Sequence, residues 1–223
     1  MKMDRILEPE LMDEEEQAEA YANANFDEPH SRFIDLFKNR FNDYDGKGHI
    51  LDVGCGPADI SIRFADAFPK SIIHGYDGSE AMIKRGVDAI KKREKRERIT
   101  LYRGRIGEIR LPRSFYDVVI CNSVLHHLHK PSVFWDEIKS YSDKTKVFVA
   151  DLRRPTTLRE AVKIANLYSS PQDPEVLRRD FYNSLLAAFT VEEVQSQLQE
   201  AGLQNLLRVN GIGDRHLAIT GVI

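Results

Sequence analysis

The chain has 223 residues, 42% of them hydrophobic and 30% charged, with a formal net charge of −3. That is enough apolar material for a sizeable core and too little net charge for a general pull toward nucleic acid or anionic lipid. Cys55 and Cys121 are too few for a disulfide scaffold and lack zinc-site spacing, and no apolar run approaches the roughly 20 residues that span a bilayer.

Residues 1–22, MKMDRILEPELMDEEEQAEAYA, are acidic and poor in apolar residues, unlike a secretory signal or transit peptide. The expected location is the cytoplasm, with both thiols reduced. Residues 9–24 favour helix, and Phe33, Ile34, Leu36, Phe37 and Phe41 recur at helical spacing over 28–43. The stretch YDGKG at 44–48 then breaks the chain. From there strands are expected at 49–54, 71–77, 99–104, 116–122 and 146–152, with helices at 58–68, 79–96 and 131–142. Strands that are nearly all apolar, most of them followed by a helix, argue a parallel sheet covered on both faces. Right-handed crossovers make it a doubly wound, Rossmann-like α/β fold.

Beyond Leu152 the rhythm changes. Helices are expected at 153–168 and 175–189 around the loop SSPQDP, and TVEEVQSQLQEAG at 190–202 carries a capping threonine, a glutamate three residues on and a terminal glycine. Residues 205–223 read as two strands around Gly211-Ile212-Gly213-Asp214, a hairpin that closes one edge of a seven-stranded, mostly parallel sheet. The expected organisation is an N-terminal helical cap over 1–45 and one α/β domain over 46–223, with a helical insertion at about 156–188. The basic run KKREKRER at 91–98 reads as the solvated outer face of a helix rather than a basic docking surface.

Chemistry concentrates in HILDVGCGPADIS, residues 49–61, where a buried strand stops in a carboxylate and a glycine turn and a helix starts at once. In a doubly wound sheet, ligands bind outside the carboxyl ends of the strands. Gly54 and Gly56 let a ligand press on backbone, the following helix offers unpaired N–H groups, and Asp77 ends the second strand where a carboxylate can grip ribose hydroxyls. A dinucleotide fingerprint wants G-x-G-x-x-G, but aspartate stands at 59 in place of the third glycine. Asp52 also sits awkwardly beside a pyrophosphate and suits a ligand carrying positive charge, so a nicotinamide oxidoreductase is the weaker reading.

Residues 50–59, ILDVGCGPAD, resemble the first motif of the class I S-adenosylmethionine-dependent methyltransferases. IIHGYDGSEAMI and YDVVICNSVLHHL follow in order and resemble the second-strand and fourth-strand motifs. The resemblance implies S-adenosyl-L-methionine as cofactor, with Asp52, Gly54, Cys55, Gly56 and Asn122 at its methionyl end, Asp77 on the ribose and Gly78 and Met82 on the adenine side. Relatives often carry an acidic residue after the third strand. Here Arg105 stands there, with Glu108 nearby but out of register, so either the adenine contact falls to the backbone of Ile106 or Arg105 has another role. Ala58 stands where a third motif glycine is common.

No catalytic residue is fixed. His126 and His127 are candidate bases, with a structural hydrogen bond as the plainer reading, and Tyr21 and Tyr182 are further candidates. The spacing of His126, His127 and His129 does not suit ligation from a helix face, so no metal is expected. Cys55 and Cys121 read as small buried thiols. For the acceptor, His30, Arg153, Arg154, Arg179 and Tyr182 are candidates, set in the N-terminal helices and the insertion with Phe26, Arg178, Phe181 and Asn183; surface arginines and packing residues are the plainer reading. No flipped-base motif follows the fourth strand, where Cys121-Asn122-Ser123-Val124 stands, and no basic RNA-binding domain is present. The expected function is methyl transfer to a small molecule by in-line displacement, with no nucleic-acid partner and no membrane insertion. A non-catalytic cofactor-binding subunit, for which Arg105 is the one hint, stays as the alternative.

Overall fold

In the computed structural model, which describes residues 3–93, 97–141 and 144–223, the alternation of strand and helix becomes a seven-stranded sheet in the order β3-β2-β1-β4-β5-β7-β6. Its strands are β1 (Lys47–Val53), β2 (Lys70–Asp77), β3 (Ile99–Arg103), β4 (Val118–Asn122), β5 (Lys146–Leu152), β6 (Leu207–Ile212) and β7 (His216–Val222). The first five run parallel; β7 is antiparallel to both β5 and β6. Strand order reverses between β1 and β4, which opens a crevice at the carboxyl ends of those two strands.

Helices α1 (Glu15–Asn23), α2 (Asp27–Arg40), α3 (Asp59–Ala67), α4 (Glu80–Lys92), α5 (Ser132–Ser140), α6 (Leu158–Tyr168), α7 (Glu175–Ala187) and α8 (Val191–Glu200) complete the fold. Successive strand residues face opposite sides of a sheet. Leu51, Val53, Val119, Cys121, Val147 and Val149 therefore enter one core, with Trp135 of α5 and Leu198 of α8. Ile50, Val118, Ile120 and Phe148 enter the other, with Phe33 and Phe37 of α2 and Phe64 of α3. Phe37 and Phe64 are both fully buried, with ring centroids 5.0 Å apart, and each such side chain stabilises by about 1.5–3 kcal/mol. α2 lies before residue 45 in sequence, yet its apolar face belongs to the same core as α3.

Local chemistry sets the helix starts. The Ser79 side chain accepts the Met82 N–H, the Thr157 side chain accepts the Glu160 N–H, and Thr190 with Glu193 forms a reciprocal capping box. α1 begins at Glu15 rather than near residue 9. The chain before it is drawn across the rim instead: the Ile6 N–H donates to the Leu186 carbonyl, and the Arg5 guanidinium donates to the carbonyls of Ala187, His126 and Leu128. These tertiary bonds outweigh helix propensity. α4 stops at Lys92. Of the basic run at 91–98, residues 94–96 lie outside those described, and Arg98 turns inward, donating to the Ala65 carbonyl at 2.8 Å near the end of α3. Arg98 is thus a helix-end contact, whereas Lys91, Lys92, Arg93 and Glu97 are exposed, the solvated face expected of the run.

Candidate functional site

A cavity of about 1220 Å³ opens at the carboxyl ends of β1, β2 and β4. All ten residues expected to hold a cofactor, Asp52, Gly54, Cys55, Gly56, Asp77, Gly78, Met82, Arg105, Ile106 and Asn122, line it. Backbone conformation explains the turn. Gly54 and Gly56 have φ of 67° and 50°, in the left-handed region. A Cβ on Gly54 would stand 2.4 Å from Cγ2 of Val124, whereas one on Gly56 would meet no protein atom within 4 Å. Gly54 is thus small for packing; Gly56 is small toward open space that a ligand can fill. Ala58 keeps the third left-handed position of the turn at φ 66°, which is why glycine suits that site.

Two carboxyls face this turn. Asp52 is 1% exposed, and its Oδ2 accepts the Ser61 hydroxyl at 2.5 Å. Burial pushes its carboxyl up to about 7, so a positively charged ligand would favour its ionised form. Asp77 accepts the Gly56 N–H on Oδ2 at 3.0 Å and the Ser79 N–H on Oδ1 at 2.8 Å. Burial raises its pKa, and those two N–H groups oppose the rise. Its position is fixed from the glycine turn itself. Asp59, the residue that breaks the dinucleotide pattern, opens α3 and receives His30 Nδ1 and Arg63 Nε, both at 2.6 Å. It ties α2 to α3.

Beyond β3, the Glu108 N–H donates to the Arg105 carbonyl, and this turn brings Glu108 onto the cavity wall beside Arg105 and Ile106. Glu137 of α5 holds the loop by accepting the Gly107 N–H at 2.6 Å and the Tyr76 hydroxyl at 2.5 Å. Cys55 and Cys121 are both free and buried, and burial holds both thiols well above their usual range.

The remaining candidates divide. Tyr21, His30, His126 and His127 line the cavity, as do Phe26 and Phe181. Arg153, Arg154, Arg178, Arg179, Tyr182 and Asn183 do not. Arg153 donates to the carbonyls of Gly213 and Asp214, and Arg154 is 8% exposed, donating to the Ala188 carbonyl and pairing with Glu193. Both guanidiniums bind the chain itself. Arg215, which sequence reasoning passed over, lines the cavity with its guanidinium stacked on Tyr168, 3.2 Å from the ring centroid.

His126 and His127 lie on a single 3-10 turn, Leu125–His127, after β4. His126 Nδ1 is 2.5 Å from Asp151 Oδ1, with the two side chains 3% and 2% exposed. Burial alone would lower the His126 pKa, but the Asp151 and Glu8 carboxylates outweigh it and hold it raised. Asp151 carried a readable signal, since it ends an apolar strand as Asp52 does. Glu8 carried none.

A family model described as a methyltransferase domain matches residues 45–202. The chain belongs to the class I S-adenosylmethionine-dependent methyltransferases. Among curated relatives, an uncharacterized methyltransferase of Schizosaccharomyces pombe is 34% identical over 95 residues, 40% of this chain and 34% of that one. The 27-O-demethylrifamycin SV methyltransferase of Amycolatopsis mediterranei is 26% identical over 158 residues, 70% of this chain and 53% of that one. The matches to the first such relatives span about a third of their length. A SAM-dependent methyltransferase structure from Aquifex aeolicus shares the fold at a TM-score of 0.66, with 16% identity over 94% of this chain and 98% of that one.

S-adenosylmethionine is the cofactor of this methyltransferase family, and the cavity fits it. A buried carboxyl at Asp52, open space at Gly56 and a backbone-fixed carboxylate at Asp77 suit a ligand with a cationic end and a ribose. No helix among the described residues is long and apolar enough to cross a membrane.

Proposed function

We propose that this class I methyltransferase moves a methyl group from S-adenosylmethionine to a small-molecule acceptor by in-line displacement. The observation that carries the reading is the cavity. At about 1220 Å³ it runs from the glycine turn to the N-terminal helices and α7, and it exceeds the roughly 300–1,000 Å³ of a site for one small ligand. Two ligands can share it. Phe26, Phe33, Leu177 and Phe181 are also part of its lining, a surface for an acceptor with apolar or aromatic parts. The relative from Amycolatopsis mediterranei, named for 27-O-demethylrifamycin SV, supports a small-molecule acceptor.

Bound there, the cofactor supplies a methyl group on a sulfonium whose departure leaves a neutral thioether. This chain's residues hold, align and exclude water. Asp77 would hold the ribose, Asp52 the cationic end, Gly54 and Gly56 the methionyl part, and Met82 and Ile106 the adenine. Alignment of this kind lowers a barrier by about 7–11 kcal/mol. A base is required only where the attacking atom still holds its proton. Tyr21 is poorly suited to that role, because burial pushes its hydroxyl up to about 12 and keeps it a phenol. We place the protein in the cytoplasm, where its two free thiols stay reduced.

Calorimetric titration with S-adenosylmethionine, S-adenosylhomocysteine and NAD, followed by transfer of labelled methyl to a panel of small acids, phenols, amines and thiols, tests the reading. Micromolar binding of the two sulfur nucleosides, no binding of NAD and label on a small acceptor are expected. Binding without transfer to any acceptor would favour the non-catalytic subunit, and no binding of either sulfur nucleoside would sink both.

A further inference from the structure

We propose that Glu8, His126 and His127 form a binding site for a divalent transition-metal cation, zinc(II) by its donor set, on the wall of the cofactor cavity. The donor atoms of these three residues converge to within 4.8 Å of one another. Glu8 Oε1 lies 3.2 Å from His127 Nδ1 and 3.5 Å from His126 Nε2. In a tetrahedral zinc site with bonds of about 2.0–2.1 Å, neighbouring donors stand about 3.3–3.4 Å apart. Both Glu8 distances match that spacing, and the third pair lies within 4.8 Å.

Hydrogen bonding does not account for it. Glu8 is 9% exposed, and its Oε1 is buried with no hydrogen-bond partner. An orphaned carboxylate oxygen is costly in such a place. With Nδ1 of His126 directed at Asp151, the Nε2 lone pair is directed at that same oxygen. Two imidazole nitrogens and a carboxylate oxygen thus face one another, and a cation between them, taking the place of the ring protons, resolves the arrangement.

The outer contacts are those that metal sites need. The Asp151 carboxylate fixes the ring of His126 through Nδ1 and also accepts its backbone N–H, and the Ser184 hydroxyl of α7 donates to Glu8 Oε2 at 3.2 Å, leaving Oε1 to face the two imidazoles. His127 Nδ1 also stands 3.4 Å from the Pro9 carbonyl. Of the nearby charges, Glu8 and Asp151 attract a cation and Arg5, bound to the His126 carbonyl, opposes it. Two imidazoles and a carboxylate suit zinc over magnesium or calcium. Three protein ligands leave one position for water or for an atom of the acceptor, since His126 and His127 both line the cavity. Through Glu8 the ion would also tie the segment before α1 to that wall. The site stands on its own ligands and does not require methyl transfer.

The test uses the full chain, stripped with a chelator, dialysed and titrated with cobalt(II) as probe. One equivalent giving the intense visible bands of a tetrahedral site, displaced by zinc(II), is expected. Glu8→Gln and His127→Gln each weaken cobalt binding by about 100-fold or more, Asp151→Asn weakens it by about 10-fold, and the exposed neighbour change Glu10→Gln leaves it unchanged. Thermal melts of the metal-free variants identify any that fail to fold, and the remaining ligand variant then decides. No tetrahedral bands with the wild-type chain, or bands that survive both ligand substitutions, would overturn the site. Titration with S-adenosylmethionine on the same samples keeps its failure separate from that of the methyltransferase reading.

Discussion

At the end of β1, four consecutive residues, Gly54 to Pro57, shape the cavity largely with backbone, whereas the wall around His126 and His127 takes Arg5 and Glu8 from the N-terminus, Asp151 from β5 and Ser184 from α7. The first depends on a few left-handed dihedrals and on what a missing Cβ leaves open. The second depends on burying charges that are far apart in sequence. A turn of the first kind tolerates changes around it but not within it. A wall of the second kind fails when any buried partner is removed.

The largest expected effect tests the assembled wall. Asp151→Ala leaves His126 buried without its carboxylate and two backbone N–H groups without their acceptor. It should cost about 4 kcal/mol, read as a lower urea midpoint; an unchanged midpoint would mean that this wall is not held by its buried pair. Gly54→Ala tests the turn in the same assay. A Cβ at φ 67°, pressed on Val124, should cost about 3 kcal/mol. A milder loss would show that Val124 yields and that the turn is less exacting than its geometry implies.

Asp77→Ala separates binding from folding on the side of the turn. The fold should survive while cofactor affinity falls about 100-fold, equal to about 2.7 kcal/mol, and equal titration curves for variant and wild type would remove Asp77 from the ribose. The last effect is a slope rather than a loss. Burial lifts Asp52 from an ordinary 3.8 to about 7. A group that binds its proton more tightly in the folded state adds stability that is fully present below about pH 4 and lost as the pH rises through about 7. Asp52→Asn cannot titrate, so its midpoint should gain on wild type across that window; parallel curves would place Asp52 in contact with water.

The parallel core of the sheet, its covering helices and the hairpin were legible because each rests on neighbours in sequence: apolar runs for doubly covered strands, Thr190 with Glu193 for a cap, Gly213 for a turn. That Asp52, Gly54, Gly56 and Asp77 would line one crevice was legible for the same reason, since the first three share one turn and Asp77 ends the adjoining strand. Where propensity met long-range bonds it gave way, as in the segment before Glu15, which Arg5 and Ile6 draw out across the rim. Arg153 and Arg154 had the composition of anion binders, but only the packed structure showed Arg153 bound to carbonyls of the chain and the terminal nitrogens of Arg154 bound to the Ala188 carbonyl and Glu193.

By itself, then, the sequence determined the sheet, the crevice at its carboxyl edge and the chemistry of the turn that faces it, because those depend on local periodicity and spacing. Only the tertiary structure decided what stands on the other wall. Glu8 has no sequence relation to His126 and His127, and nothing but the folding of the N-terminus over the sheet brings its carboxylate within 3.5 Å of both.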